Sequence, residues 1–154
     1  MRLEPLLSEE RTAVLRGCGD RDAVLAGLSD LGAGAIEGMD ASALLSALVE
    51  RENQYPTSTP DGVAFPHAML PDLERTVVVV VALSPPVDFR PGQHPPIRVA
   101  FGMFGSASRP FDHVQLLARL ARIVRNPGVV DRLGSCEDAG ALFRALVDED
   151  RAHG

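Results

Sequence analysis

The sequence predicts an α/β fold, a sheet with at least some parallel pairing covered by helices on both faces. Three observations carry that expectation. Thr76-Val77-Val78-Val79-Val80-Val81-Ala82-Leu83 is β-branched and apolar without alternation, which suits a central strand buried on both sides. Two segments with apolar residues at helical spacing come before it, and a group of helical segments closes the chain. Helices and strands interleaved in this order pack as layers around a sheet.

The first element, Arg11-Thr12-Ala13-Val14-Leu15, reads as an edge-like strand ended by Gly17 and Gly19. Asp20 is a good N-cap for a helix through Leu31, with Val24, Leu25 and Leu28 at helical spacing. Gly32-Ala33-Gly34 is its expected stop. A second helix begins near Asp40, sets Leu44, Leu45, Leu48 and Val49 on one face, and ends around Glu50-Arg51-Glu52. Thr57 to Gly62 gathers Ser, Pro, Asp and Gly, each a turn former for its own reason. Val63-Ala64-Phe65 is a short apolar strand, and Pro66 pushes Phe65 towards extended backbone.

Beyond the valine run, Ser84-Pro85-Pro86 is expected to end the strand. A loop from Val87 to Pro96 holds Asp88, Arg90 and His94, and Ile97 to Phe104 is a further strand before the small residues Gly105 to Ser108. Asp112 and Gln115 have capping-box spacing, which would put His113 at the first position of a helix carrying Leu116, Leu117, Leu120, Ile123 and Val124. On that helix Arg119, Arg122 and Arg125 are expected to form a solvated face, and Pro127 ends it. Val129 to Leu133 reads as a short helix stopped by Gly134. Ser135 and Asp138 resemble a capping pair for a last helix holding Ala141, Leu142, Ala145 and Leu146. The polar tail, Asp148 to Gly154, is expected to fray. Nothing divides the chain, so residues 1–154 are expected to form one domain.

Composition narrows the function. A net charge of −6 argues against a general nucleic-acid binder, because neutralising phosphates needs a basic face. Cys18 and Cys136 are far apart with no metal-type spacing, which fits a reduced, cytoplasmic chain. The start lacks a signal-type apolar run, and Val77 to Leu83 is too short to cross a bilayer. A soluble cytoplasmic protein is the expectation, with no cofactor.

Three side chains could carry chemistry. His67 follows a conformationally restricted segment, and a neutral imidazole is nucleophilic near neutral pH. Only one ring nitrogen can attack, so a hydrogen bond to the other must fix the tautomer. His113, at a helix start, would sit where backbone N–H groups favour anions and disfavour imidazolium. Arg51 offers a planar, always charged guanidinium that matches phosphate oxygens. Each also fits a plain structural role: a turn histidine after proline, an exposed helix-start histidine, and an arginine capping its own helix. One nucleophile and two donors suffice for phosphoryl transfer, which asks the protein mainly for alignment and charge stabilisation. No Walker loop, dinucleotide loop or G-x-S-x-G elbow competes. A metal-dependent hydrolase using both histidines is a weaker alternative, without HxxxH or CxxC spacing to support it. His94 and His153 are read as solvated.

These residues resemble the enzyme IIA domains of the bacterial phosphotransferase system, in the fructose/mannitol class (type 2) that includes the PtsN-like nitrogen-regulatory proteins. The family pattern, R-E, a short gap, then T-G-x-G-x-G-[IV]-A-[IF]-P-H, is similar to Arg51-Glu52, Thr57 and Gly62-Val63-Ala64-Phe65-Pro66-His67. Its second motif, H-L-x-x-L-A-x-L-A, is similar to His113 through Ala121. The resemblance implies a three-layer α/β/α fold with a central mixed sheet, His67 as the phosphorylated residue, and His113 and Arg51 as supports. It implies the phosphohistidine of an HPr-type carrier as donor, and a IIB-domain cysteine or a regulatory target as the next partner. Phe65, Met69 and Leu70 are candidate docking residues, and Thr57 and Gly62 complete the expected partner-binding set.

Two positions depart from the pattern. Ser58 and Pro60 stand where the family usually has glycine. Serine is costly at positive φ and proline fixes φ and removes an N–H, so the loop is expected to differ in shape. The expected function is a free-standing, regulatory phosphoryl carrier, since no IIB or membrane segment is attached. The alternative is a degenerate relative that binds proteins without being phosphorylated.

Overall fold

A computed structural model describes residues 1–92 and 95–153. Its elements are β1 (Thr12–Arg16), α1 (Arg21–Ala35), α2 (Ala41–Gln54), β2 (Val63–Ala64), β3 (His67–Leu70), β4 (Val77–Val87), β5 (Ile97–Ser106), α3 (Pro110–Val124), α4 (Val129–Gly134) and α5 (Ala139–Ala152). The sheet runs β1-β4-β5-β2, and β3 also pairs with β5. β1 is parallel to β4, β4 antiparallel to β5, and both β2 and β3 parallel to β5. It is a mixed sheet, as the resemblance implies.

The valine run makes the three layers. Side chains alternate across a strand, so Val78 and Val80 join Phe101, Leu116, Leu120 and Leu146 on one face, under α3, α4 and α5. Val77, Val79 and Val81 face the other way, onto Val24, Leu28, Leu44 and Leu48 of α1 and α2. Both faces are fully covered, which is why the run shows no polar alternation.

Several boundaries differ from expectation, each for a physical reason. α1 continues through Gly32-Ala33-Gly34 to Ala35. A Cβ on Gly32 would lie 2.5 Å from the Phe104 ring, so this glycine admits the helix to the sheet rather than ending it. β4 continues past Ser84-Pro85-Pro86 to Val87, because the ladder to β5 is irregular between Ala82 and Val87 and does not need those prolines to donate. α3 begins at Pro110, with Arg109 as its N-cap. Proline at the first helical position outranks the Asp112 capping box, and His113 is therefore the fourth residue of α3, not the first.

The tail is the largest correction. α5 extends to Ala152, and Asp150 within it is 0% exposed. Arg119, expected on a solvated face, is 3% exposed and donates from Nε (3.1 Å) and Nη2 (2.8 Å) to Asp150 Oδ1. The other oxygen, Oδ2, accepts the backbone N–H groups of Leu3 and Glu4, each at 3.0 Å. Asp138 does cap α5, accepting from Ala141 N at 2.7 Å. Ser135 instead finishes α4, donating its hydroxyl to the Asp131 carbonyl at 2.6 Å.

Candidate functional site

The site begins where Pro66 divides one sheet edge in two. β2 pairs with Val99–Ala100 and β3 with Met103–Ser106, both along β5. Proline has no N–H for the ladder, but its carbonyl accepts Met103 N at 2.9 Å, so the edge is held on both sides of the break. His67 opens β3 in register with Met103. Its backbone is therefore fixed by a strand behind and a strand ahead.

The ring is fixed as well. His67 Nδ1 lies 2.9 Å from the Phe65 carbonyl oxygen. A carbonyl can only accept, so Nδ1 carries the proton and Nε2 keeps a free lone pair. The His113 ring stands 5.1 Å away, centroid to centroid, at an interplanar angle of 47°. Gly105 makes room for it: a Cβ there would lie 2.4 Å from Met69 Sδ and 3.1 Å from His113 Nδ1.

Both histidines line a cleft of about 390 Å³ together with Ala47, Glu50, Arg51 and Gln54 of α2 and Met69 of β3. Arg51 occupies the last turn of α2, and its Nη1 donates to the Tyr55 carbonyl at 2.8 Å. It therefore caps its helix and borders the cleft at once. Burial lowers the pKa of His67, and the Arg51 charge adds to the effect, against the opposing Phe65 hydrogen bond and Glu52 charge. Burial also lowers that of His113, helped by His67 and Arg51. Both rings are accordingly neutral at pH 7.

The other expected site residues are placed differently from one another. Met69 is exposed on the rim of the cleft. Leu70 lies in a neighbouring hollow with Met39 and Leu73. Phe65 is not available for docking. It is buried, stacked on Phe101 at 5.7 Å and 14°. Thr57 is also buried, its N–H and hydroxyl both held by Glu52. Gly62 adopts φ +80°, a conformation that favours glycine, and its carbonyl accepts Arg98 N at 2.8 Å.

The altered loop closes on itself. Ser58 bridges to Ala64, and Thr59 uses both its N–H (2.9 Å) and its hydroxyl (2.8 Å) on the Val63 carbonyl. Among the described residues no non-glycine residue has positive φ. Ser58 therefore bears no positive-φ cost, and the loop carries the serine and proline with ordinary backbone angles.

Sequence reasoning missed Gln54 in the cleft and three exposed apolar side chains. Gln54 escaped because α2 is longer than its apolar pattern. Tyr55, Phe111 and Val114 are large apolar side chains left exposed. Phe111 and Val114 flank His113 by spacing, and two apolar residues in the polar first turn of a helix were the available signal. His153 is partly buried, with Nε2 3.0 Å from Glu149 Oε2; His94 lies outside the described residues. Among the described residues no three His, Cys, Asp or Glu side chains converge as a metal site.

Comparison with known proteins completes the description. Residues 5–149 match the family described as phosphoenolpyruvate-dependent sugar phosphotransferase system, EIIA 2. A nitrogen regulatory protein of Pseudomonas aeruginosa is 30% identical over 148 residues, covering 96% of each chain. The crystal structure of the nitrogen regulatory protein IIA-Ntr from Neisseria meningitidis superposes with a TM-score of 0.82 at 18% identity, over 94% of this chain and 98% of that one. Enzyme IIA-mannitol of Escherichia coli, solved in complex with phosphorylated enzyme IIB-mannitol, superposes with a TM-score of 0.75 at 18% identity, over 92% and 97% of the two chains.

Proposed function

The chain belongs to the EIIA 2 family of the phosphoenolpyruvate-dependent sugar phosphotransferase system, and from that premise we propose that it is a cytoplasmic phosphoryl carrier with His67 as its acceptor. The observation that supports this most is the pairing of two neutral imidazoles beside a guanidinium in one cleft, with the His67 tautomer already set.

In the proposed reaction the His67 Nε2 lone pair attacks the phosphorus of a phosphohistidine on an HPr-type carrier. An N–P bond forms at Nε2, the donor's N–P bond breaks, and its electron pair returns to the donor ring. The proton stays on His67 Nδ1 throughout, donated to the Phe65 carbonyl. Arg51 supplies positive charge to the phosphoryl oxygens. His113, whose Nδ1 is buried without a partner among the described residues, would use Nε2 towards them. Neutrality matters, because a protonated His67 has no lone pair to attack with.

Met69, Phe111, Val114 and Tyr55, exposed near the two motifs, support a docking surface that carriers could share in turn. A IIB domain is one candidate for the next partner, in line with the mannitol complex. A regulatory target is the other, favoured by the nitrogen-regulatory relative. No helix among the described residues is long and apolar enough to cross a membrane.

Incubation with phosphoenolpyruvate, enzyme I and HPr, followed by intact mass, tests the proposal. The wild-type chain should gain one acid-labile phosphoryl group, and His67→Ala should gain none while keeping its circular dichroism. A phosphorylated His67→Ala would refute the assignment. A wild-type chain that gains nothing from cognate partners would instead favour a protein-binding module.

A further inference from the structure

Glu52 is an unusual residue to find in the interior beside a reactive histidine. It is 4% exposed, and no arginine or histidine pairs with it among the described residues. Both its oxygens are spent on one neighbour: Oε2 accepts Thr57 N and Oε1 accepts the Thr57 hydroxyl, each at 2.6 Å. The connection continues from there. The Thr57 carbonyl accepts Phe65 N at 3.2 Å, and the Phe65 carbonyl accepts His67 Nδ1–H at 2.9 Å. The loop from Thr57 to Gly62 and the two-residue strand behind it are thus pinned between a helix and an imidazole.

We propose that Glu52 is a positioning residue for phosphoryl transfer, holding Thr57 so that the Phe65 carbonyl fixes the tautomer and orientation of His67. This rests on the reading of His67 as the acceptor. A neutral side chain could close the same loop, so the choice of a buried carboxylate calls for a reason. Phosphorylation supplies one. With Nε2 bonded to phosphorus and Nδ1 still protonated, the ring takes on positive charge, and a nearby fixed anion opposes the cost. A carboxylate that orients an imidazole and stabilises its cationic form does the same in acyl-transfer triads, here acting through backbone rather than by direct contact.

The test uses the full chain with ¹⁵N-labelled histidine. In the wild type, NMR should show His67 as a single Nδ1–H tautomer. Glu52→Gln offers Thr57 only one acceptor and no charge. It should mix the two tautomers, move the titration of His67 to still lower pH, and slow phosphorylation by HPr by roughly 10–100-fold, the range seen when hydrogen-bond partners of metal-ligating histidines are removed. Thr57→Ser, which keeps both bonds, should retain the single Nδ1–H tautomer of His67. Should Glu52→Gln fail to fold, Thr57→Val, lacking only the hydroxyl, is read for the same changes at smaller size. A folded variant with wild-type tautomer and rate overturns the proposal. If the wild type takes no phosphoryl group, the carrier reading fails, while the tautomer measurement still decides the role of Glu52.

Discussion

Among the described residues two carboxylates, Asp150 and Glu52, are buried, and they are handled in opposite ways. Asp150 faces Arg119 and two backbone amides, so four donor groups surround it. Burial alone would raise its pKa, but the Arg119 hydrogen bond, the Leu3 and Glu4 amides and the Arg119 charge together hold it below the ordinary carboxylate value. Among the described residues Glu52 has no such cation, only one threonine, and it sits a few hydrogen bonds from the His67 ring. A charge compensated in full serves the fold. One left with hydrogen bonds alone remains free to act on a charge that comes and goes.

Breaking the compensated pair should give the largest effect on stability. Arg119→Met strands Asp150 in the interior, and removing one partner of a buried pair costs about 3–5 kcal/mol. Thermal or denaturant unfolding should report that loss. Phosphorylation by HPr, measured well below the new midpoint, should stay within a few-fold of wild type, because no atom of this pair borders the cleft. A large loss of transfer with little change in stability would erase the contrast with Glu52.

Acid sharpens the comparison by titrating the two regions separately. His67 and His113 have folded pKa values below the unfolded value of about 6.5. The unfolded chain therefore binds more protons in that window, and stability must fall as pH drops from about 6.5 towards the folded values, then level off. Asp150 is depressed in the carboxylate range, so its contribution holds above the unfolded value and is lost as pH falls through the folded one. Equilibrium unfolding against pH should show two separate declines. Replacing both histidines, as His67→Gln/His113→Gln, should remove the upper one alone. Transfer activity should also decline on the acid side, as Nε2 of His67 becomes protonated.

A smaller effect should follow from Gly105→Ala. Its Cβ would press on Met69 Sδ and His113 Nδ1, and overpacking of this kind costs about 1–3 kcal/mol. The thioether can move aside more readily than the ring on its helix. The expected outcome is a modest drop in melting temperature and a slower transfer, from a displaced His113. Combining it with Met69→Ala should restore stability more than rate.

How far the sequence could be read depended on whether the deciding interaction was local. The valine strand, the face of α2 and the His67 loop were legible because spacing, turn chemistry and motif agreed there. Gly32 was not, since its meaning lies in the Phe104 ring 72 positions away in the chain. Arg119 and Asp150 each looked solvated on their own helix, and only the fold brings them together. His113 was tied to His67 by resemblance, and the two rings do lie together, yet it was placed three positions early on its helix, because a proline at 110 competes with the aspartate at 112. Glu52 stood in the motif in plain view. Nothing local distinguished it from any other glutamate near a helix end.

The Asp150 contacts have one more implication. By gripping the amides of Leu3 and Glu4 while its own carbonyl accepts Arg2 Nη1 at 3.0 Å, this aspartate sets residues 2–4 and the end of α5 shoulder to shoulder. A short linker would bridge them, so the chain is a natural candidate for circular permutation. Any module grafted to either extremity would be leashed to the same corner of the molecule.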